Sequence, residues 1–270
     1  MSVKLVTNEK IAETSSKGNQ EKWLDGNTWY KLDQFGYEAL TEVFTSKLLE
    51  YSNIEKATPF TFVRYDIERV KTHGFERTCC KSKSFLKKGY SIITLNTLLS
   101  KELGFPVREK LERLSSDKKR IQYLVDATTD YTGLKEFDKY LTLLFEIDSL
   151  VLNDDRHLNN IAVLEKGGKY DYCPIFDNGA GLLSNMQILR SDIDPKALIK
   201  SVYASPFHMT FNRELKTVRG LYGSVIELPK FSKDELKQLL SPLLEYYSAR
   251  DKGIITDRVM TCITERQKAL

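Results

Sequence analysis

Up to about residue 33 the apolar residues fall in short runs between polar ones; beyond that they settle into helical spacing. Lys22-Trp23-Leu24 predicts a strand, Asp25-Gly26-Asn27 a hairpin turn, and Thr28-Trp29-Tyr30-Lys31-Leu32 a returning strand rich in β-formers. The run of small polar residues at 14–20 predicts a loop. Phe35, Leu40, Val43, Phe44 and Leu48 make one apolar stripe and predict a helix over 35–51. Residues 58–66, with Phe60, Phe62 and Tyr65, predict another strand. A basic stretch follows (Lys71, Arg77, Lys81, Lys83, Lys87, Lys88), read either as a solvated face or as a docking surface for an acidic partner.

From Leu95 the spacing is mainly helical. The strongest segment is 137–152, where Phe137, Tyr140, Leu141, Leu144, Phe145, Ile147, Leu150 and Val151 leave little polar surface, so this helix is expected to be buried. A polar run, 153–160, comes next, then two short strands (161–164 and 170–176) around Gly167-Gly168. Helices are expected over 234–247, with Ser232 and Glu235 forming a capping box, and over 258–268. The order predicts an α+β protein: a small β-rich lobe over residues 1–66 with one helix, and a larger helical lobe over 67–270.

Composition narrows the class. The chain has 270 residues, 41% hydrophobic and 29% charged, enough for a sizeable core and ordinary for a globular protein. Its net charge of +4 suits an anionic ligand such as a nucleotide but is too weak to imply DNA binding. The four cysteines show no CxxC spacing, so neither a zinc site nor a disulfide framework is expected. The N-terminal run lacks an apolar signal region and no segment reaches the length of a membrane span. The expectation is a reduced, cytoplasmic protein without stable membrane insertion.

Phosphoryl transfer needs a held triphosphate, one or two Mg²⁺ ions on its oxygens, and a carboxylate facing the acceptor hydroxyl. Asp155 follows the buried helix and precedes the hairpin, so it sits on a loop held from both sides. Asn160, five positions on, offers an uncharged amide oxygen. Asp177 ends the second strand of the hairpin, whose geometry brings it near Asn160. Each piece alone has a plainer reading: Asp155 as a cap or turn residue, Asp177-Asn178-Gly179 as a turn, His157 as a structural brace of the loop. The order of buried helix, Asp-x-x-x-x-Asn, hairpin and Asp-x-Gly favours chemistry. Backbone amides around Gly18 can cradle phosphates. Lys31 can pair with them, and Glu38 on the next helix can hold Lys31; the plain alternative for that couple is an ordinary exposed ion pair.

Asp155-Arg156-His157-x-x-Asn160 followed by Phe176-Asp177-x-Gly179 resembles the catalytic core of HipA-like kinases and, more distantly, of phosphoinositide kinases. Ser15-Ser16-Lys17-Gly18-Asn19-Gln20-Glu21-Lys22 resembles the HipA phosphate loop, Tyr30-Lys31-Leu32 the strand bearing the nucleotide lysine, and Phe62-Val63-Arg64-Tyr65-Asp66 the segment joining the lobes. The resemblance implies a protein-kinase-like two-lobed fold and the use of ATP and Mg²⁺. It makes Asp155 the catalytic carboxylate, with Asn160 and Asp177 the metal ligands. It places Lys17, Gly18, Asn19, Gln20, Glu21, Lys22, Lys31, Glu38, Val63, Arg64, Tyr65 and His157 about the nucleotide. It also implies autophosphorylation of a phosphate-loop serine, Ser15 being the aligned residue; a phosphoserine there would oppose ATP phosphates and inhibit. The phosphate loop begins by Ser15, so the chain is expected to match the short stand-alone members, for which an antitoxin partner is not implied. The implied acceptor is a Ser or Thr hydroxyl on a protein. A lipid or small-molecule kinase on the same scaffold, and a nucleotide-binding pseudokinase scaffold, are the competing readings.

Overall fold

The computed structural model describes residues 4–5 and 20–270. The expected β-hairpin is present: β2 (Lys22–Asp25) and β3 (Thr28–Leu32) pair antiparallel around Gly26, whose φ of +59° suits glycine in a two-residue turn. With β1 (Lys4–Leu5), β4 (Asp66–Thr72) and β5 (Phe75–Lys83) they form a five-stranded sheet of order β1-β4-β5-β3-β2. All pairs are antiparallel except β1 with β4.

This sheet corrects two expectations and refines a third, the basic stretch, of which Lys71, Lys83, Lys87 and Lys88 are exposed as a solvated face requires. Residues 58–65 are not a strand; their one bridge joins Phe62 to Ile175. The basic stretch is largely β4 and β5, a hairpin inside the sheet, where Arg77 pairs with Glu21 at 2.9 Å and Lys81 with Glu68 at 2.7 Å. The sheet therefore continues to Lys83, past the boundary expected at residue 66, and the crossing to the rest of the chain is 84–90 rather than 63–65.

Helix α1 (Glu38–Leu49) is shorter than the expected 35–51 and buried on every side apart from Lys47. It packs on β3, β4 and β5 and against α9 (Lys233–Leu244) on its other flank. A short α2 (Ile54–Ala57) follows. Beyond the crossing, β6 (Ser91–Thr94) pairs with β7 (Ala162–Lys166), and β7 with β8 (Lys169–Tyr172), in a three-stranded antiparallel sheet. Gly167 and Gly168, at φ +58° and +80°, make the two-residue turn between β7 and β8.

The remaining helices are α3 (Leu95–Leu103), α4 (Val107–Glu112), α5 (Asp117–Thr132), α6 (Phe137–Val151), α7 (Pro195–Ser201), α8 (Phe211–Tyr222), α9, and α10 (Ala249–Arg266). Helix α6 is the axis of this part: all its residues except Asp138 and Lys139 are buried. Each fully buried Leu or Phe there contributes about 1.5–3 kcal/mol. Helix α9 starts on the expected capping box, Ser232 with Glu235. The last helix begins at Ala249, earlier than expected, with Ser248 capping Asp251. All four cysteines are buried free thiols. Among the described residues no helix is long and apolar enough to cross a membrane.

Candidate active site

Helix α6 is capped by Leu152, in the left-handed region at φ +57°, which turns the chain into the polar run 153–160. The loop is anchored from beneath by Arg156, which is fully buried. Its guanidinium grips Asp148 of α6 at 2.9 Å and donates to Asn160 O at 3.2 Å, Phe176 O at 2.7 Å and Asn178 Oδ1 at 2.7 Å. One buried fork thus ties α6, the Asp155 loop and the Asp177 loop together. Asn153 adds a second tie, donating to Asp148 Oδ1 at 2.8 Å and Asp177 O at 3.3 Å.

On this base the Asp155 side chain is 59% exposed. Asn160 Nδ2 donates to Asp155 O at 2.8 Å and Oδ2 at 3.3 Å, which commits the amide nitrogen and leaves Oδ1 as the acceptor. His157 Nε2 stands 3.7 Å from Asp155 Oδ1, an ion-pair distance beyond hydrogen-bond reach. Partial desolvation in the loop raises the Asp155 carboxyl above the usual range; His157 opposes the rise and Asp177 adds to it.

Asp177 sits at φ +64°, a left-handed conformation uncommon for a residue other than glycine. Its carboxylate meets Lys31 Nζ at 2.6 Å, across 146 residues of sequence. Burial alone would push this carboxyl up, but the Lys31 ammonium overrides it and lowers it to about 2. Lys31 is held on its other side by Glu42 Oε1 at 2.7 Å, while Glu42 Oε2 accepts from Asn178 N at 2.9 Å. Lys22 lies opposite Lys31 in the β2–β3 register; burial first, then the Lys31 charge, lowers its ammonium.

The expected Lys31–Glu38 pair is corrected to Lys31–Glu42. Glu38 turns back and accepts from the amides of Gln34, Phe35 and Gly36 at 3.3, 2.7 and 3.1 Å. The two glutamates lie one turn apart on one face of α1, and only the loop ahead of the helix decides between them.

The other expected residues are divided. Gln20 donates to Leu32 O at 2.7 Å and Glu21 pairs with Arg77 and His73, so both brace the sheet. Ser15, Lys17, Gly18 and Asn19 lie outside the described residues. In the segment expected to read adenine, Val63 N donates to Ile175 O at 2.9 Å and Tyr65 N to Ser46 Oγ at 3.3 Å. Arg64 points outward to Glu55 at 2.7 Å and lies over the Phe62 ring. A cleft of about 820 Å³ runs between this segment and the end of β5, with Tyr30, Val63, Lys83, Ser84, Phe85 and Pro174 in its walls. Neither Lys31 nor Asp177 is part of its walls.

The fold is similar to that of a solved kinase. No protein-family model and no curated protein matches the chain by sequence. Among solved structures, the Helicobacter pylori proinflammatory kinase CtkA is similar to it with a TM-score of 0.61 at 15% identity, covering 95% of this chain and 89% of that one. HipA of Shewanella oneidensis, solved in a toxin–antitoxin complex with HipB and operator DNA, gives 0.49 at 12% identity, covering 94% of this chain and 64% of that one. At such identities the likeness is one of fold.

Proposed function

We propose that this protein is an ATP- and Mg²⁺-dependent kinase that transfers the γ-phosphate to Ser or Thr hydroxyls of a protein. The observation that carries the reading is the Lys31–Asp177 contact at 2.6 Å, which brings the strand-borne cation to the acidic loop beside Asp155 and Asn160. The donor set fits a hard dication: one carboxylate kept ionised and one amide oxygen, the rest of its shell being phosphate and water. When bound, the ion offsets charge on the phosphate oxygens.

Lys31 then donates to the phosphates, and Glu42 fixes the ammonium against drift. Asp155, open to the surface, accepts the proton of the incoming hydroxyl, and that exposure admits a hydroxyl carried on a protein chain. The base lies in the cleft beside the crossing segment, a volume within the range of small-ligand sites. Lys17, Gly18 and Asn19 cradle the phosphates in this reading, and Ser15 is the autophosphorylation site.

The direct test is incubation of the protein with γ-labelled ATP and Mg²⁺, with and without EDTA. Acid-stable label on serine or threonine, lost with EDTA, is expected. No label on any protein, or label only in added lipid vesicles, overturns the reading.

The two glutamates of α1 separate cleanly. Glu42→Gln should lower phosphotransfer about 10–150-fold, the equivalent of a hydrogen bond to a charge at about 1.5–3 kcal/mol. Glu38→Gln should leave turnover near wild type and lower stability by about 0.5–2 kcal/mol, as lost helix-end caps do. Steady-state kinetics and a urea melt of each variant check both; a reversed pattern would reinstate Glu38 as the partner of Lys31.

A further inference from the structure

The N-terminus of α1 is completed by one residue just ahead of it and one far away in the chain. Tyr37 holds the N-cap position and makes no side-chain capping bond, so the orphan amides of the first turn need other acceptors. Asp33 Oδ1 accepts from Ala39 N at 2.6 Å, and the Tyr247 hydroxyl accepts from Leu40 N at 3.3 Å. That hydroxyl also donates to Asp33 Oδ2 at 2.8 Å, closing a three-membered cap. Tyr247 belongs to the link between α9 and α10, 207 residues from Leu40. The link is itself fastened to the sheet: Thr78 Oγ1 donates to Tyr246 O at 3.0 Å, and Arg69 Nη2 to Glu245 O at 2.9 Å.

What this end of α1 carries gives the cap its consequence. Glu42 stands within a turn of Leu40 and is the residue that joins Lys31 to the amide of Asn178. Helix α1 moves as a rigid rod over so short a distance, so the placement of its first turn sets the placement of the Glu42 carboxylate. We propose that Tyr247 is a positioning residue for the phosphate site: from the α9–α10 link it caps α1 through Leu40 and Asp33 and so holds Glu42 on Lys31 and the Asp177 loop. Its kinetic consequence rests on the phosphotransfer reading above; the cap itself does not.

The test compares Tyr247→Phe with Thr78→Val. The second variant removes an anchor of the same link and leaves the cap of α1 intact. Three readouts are needed: melting temperature, amide hydrogen exchange of residues 38–41, and MgATP affinity by calorimetry well below the melting range. Both variants are expected to melt lower. Only Tyr247→Phe should speed exchange in the first turn of α1 and weaken MgATP about tenfold, the size of one buried polar group left unpaired. Thr78→Val should leave both readouts unchanged. Equal weakening by the two variants, or unchanged affinity in Tyr247→Phe, would assign Tyr247 to stability alone and overturn the proposal. Should Tyr247→Phe fail to fold, Asp33→Asn disrupts the same cap from its other side and is read the same way. If the wild-type protein binds no MgATP, the phosphotransfer reading falls, and the exchange of residues 38–41 then decides whether Tyr247 holds the helix.

Discussion

Asp177→Ala is expected to lower phosphotransfer by about 10³-fold, the scale seen when a preorganised electrostatic contact to the reacting phosphate is lost. Two consequences of the change act together. In the proposed reading the metal would lose its one carboxylate ligand, leaving an amide oxygen that carries no charge. Lys31 loses the closer of its two partners, so the ammonium, paired then only with Glu42 at 2.7 Å, is free to shift from the phosphate position. The loop should survive, because its backbone is held by Arg156 through Phe176 O and by Asn153 through Asp177 O, neither of which needs the carboxylate. The diagnostic is the ratio of affinities: MgATP should weaken far more than metal-free ATP, and equal weakening would remove Asp177 from the metal. The isosteric Asp177→Asn adds a pH readout. The wild-type carboxyl is lowered to about 2 in the folded protein and titrates near 3.9 unfolded. Its contribution to stability is therefore complete above the unfolded value and is lost as pH falls toward 2. Denaturant midpoints of Asp177→Asn should be flatter than wild type between about pH 4 and 2.

The parts of this site legible in the sequence are those set by local chemistry. Asp25-Gly26-Asn27 fixed the turn that places Lys31 on an inner strand, and Gly167-Gly168 fixed the hairpin that carries the chain toward Asp177. The unbroken apolar run of α6 announced a buried helix, and so a loop at Asp155 pinned from below. What was hidden depended on pairing across long separations. Helix α1 presents Glu38 and Glu42 on one face, and only the fold shows that Glu38 is consumed by the amides of Gln34, Phe35 and Gly36. Strands β4 and β5 read as a solvated basic face because their charges dominate the composition; the acids that Arg77 and Lys81 meet, Glu21 just ahead of β2 and Glu68 on β4, and the buried Val70, Thr72, Cys79 and Cys80 give no periodic signal among them. Because those strands carry no periodic signal, the sequence puts the crossing between the two sheets at 63–65, ahead of β4 and β5. Arg156 is the sharpest case: a fully buried arginine inside a polar run gives no hydropathy signal, yet it bonds to three parts of the site at once. A motif that places Asp, Arg and His in succession contains the brace along with the chemistry, and only the side-chain geometry separates them.

Asp155→Ala should lower turnover by about 10²–10⁴-fold, the range for a positioned general base, and leave MgATP affinity nearly intact. The separation of the two effects follows from how Asn160 is held. Its amide nitrogen donates to the Asp155 carbonyl at 2.8 Å and only more weakly to the carboxylate at 3.3 Å. Alanine keeps the carbonyl, so Asn160 keeps its orientation and its Oδ1 would stay available to the proposed metal. Stability should change by no more than about 0.5 kcal/mol, as for other exposed substitutions, since the side chain is 59% exposed. Single-turnover measurements at saturating MgATP check the first effect and calorimetry the second. Unchanged turnover would remove Asp155 from proton transfer; affinity falling in step with turnover would make it a ligand-organising residue instead. The acidic limb of the wild-type rate profile carries the same information. Partial desolvation in its loop and the Asp177 charge raise the Asp155 carboxyl while His157 pulls it down, so His157→Gln should move that limb to higher pH. A limb that stays in place in His157→Gln would mean that the group titrating in the profile is not Asp155.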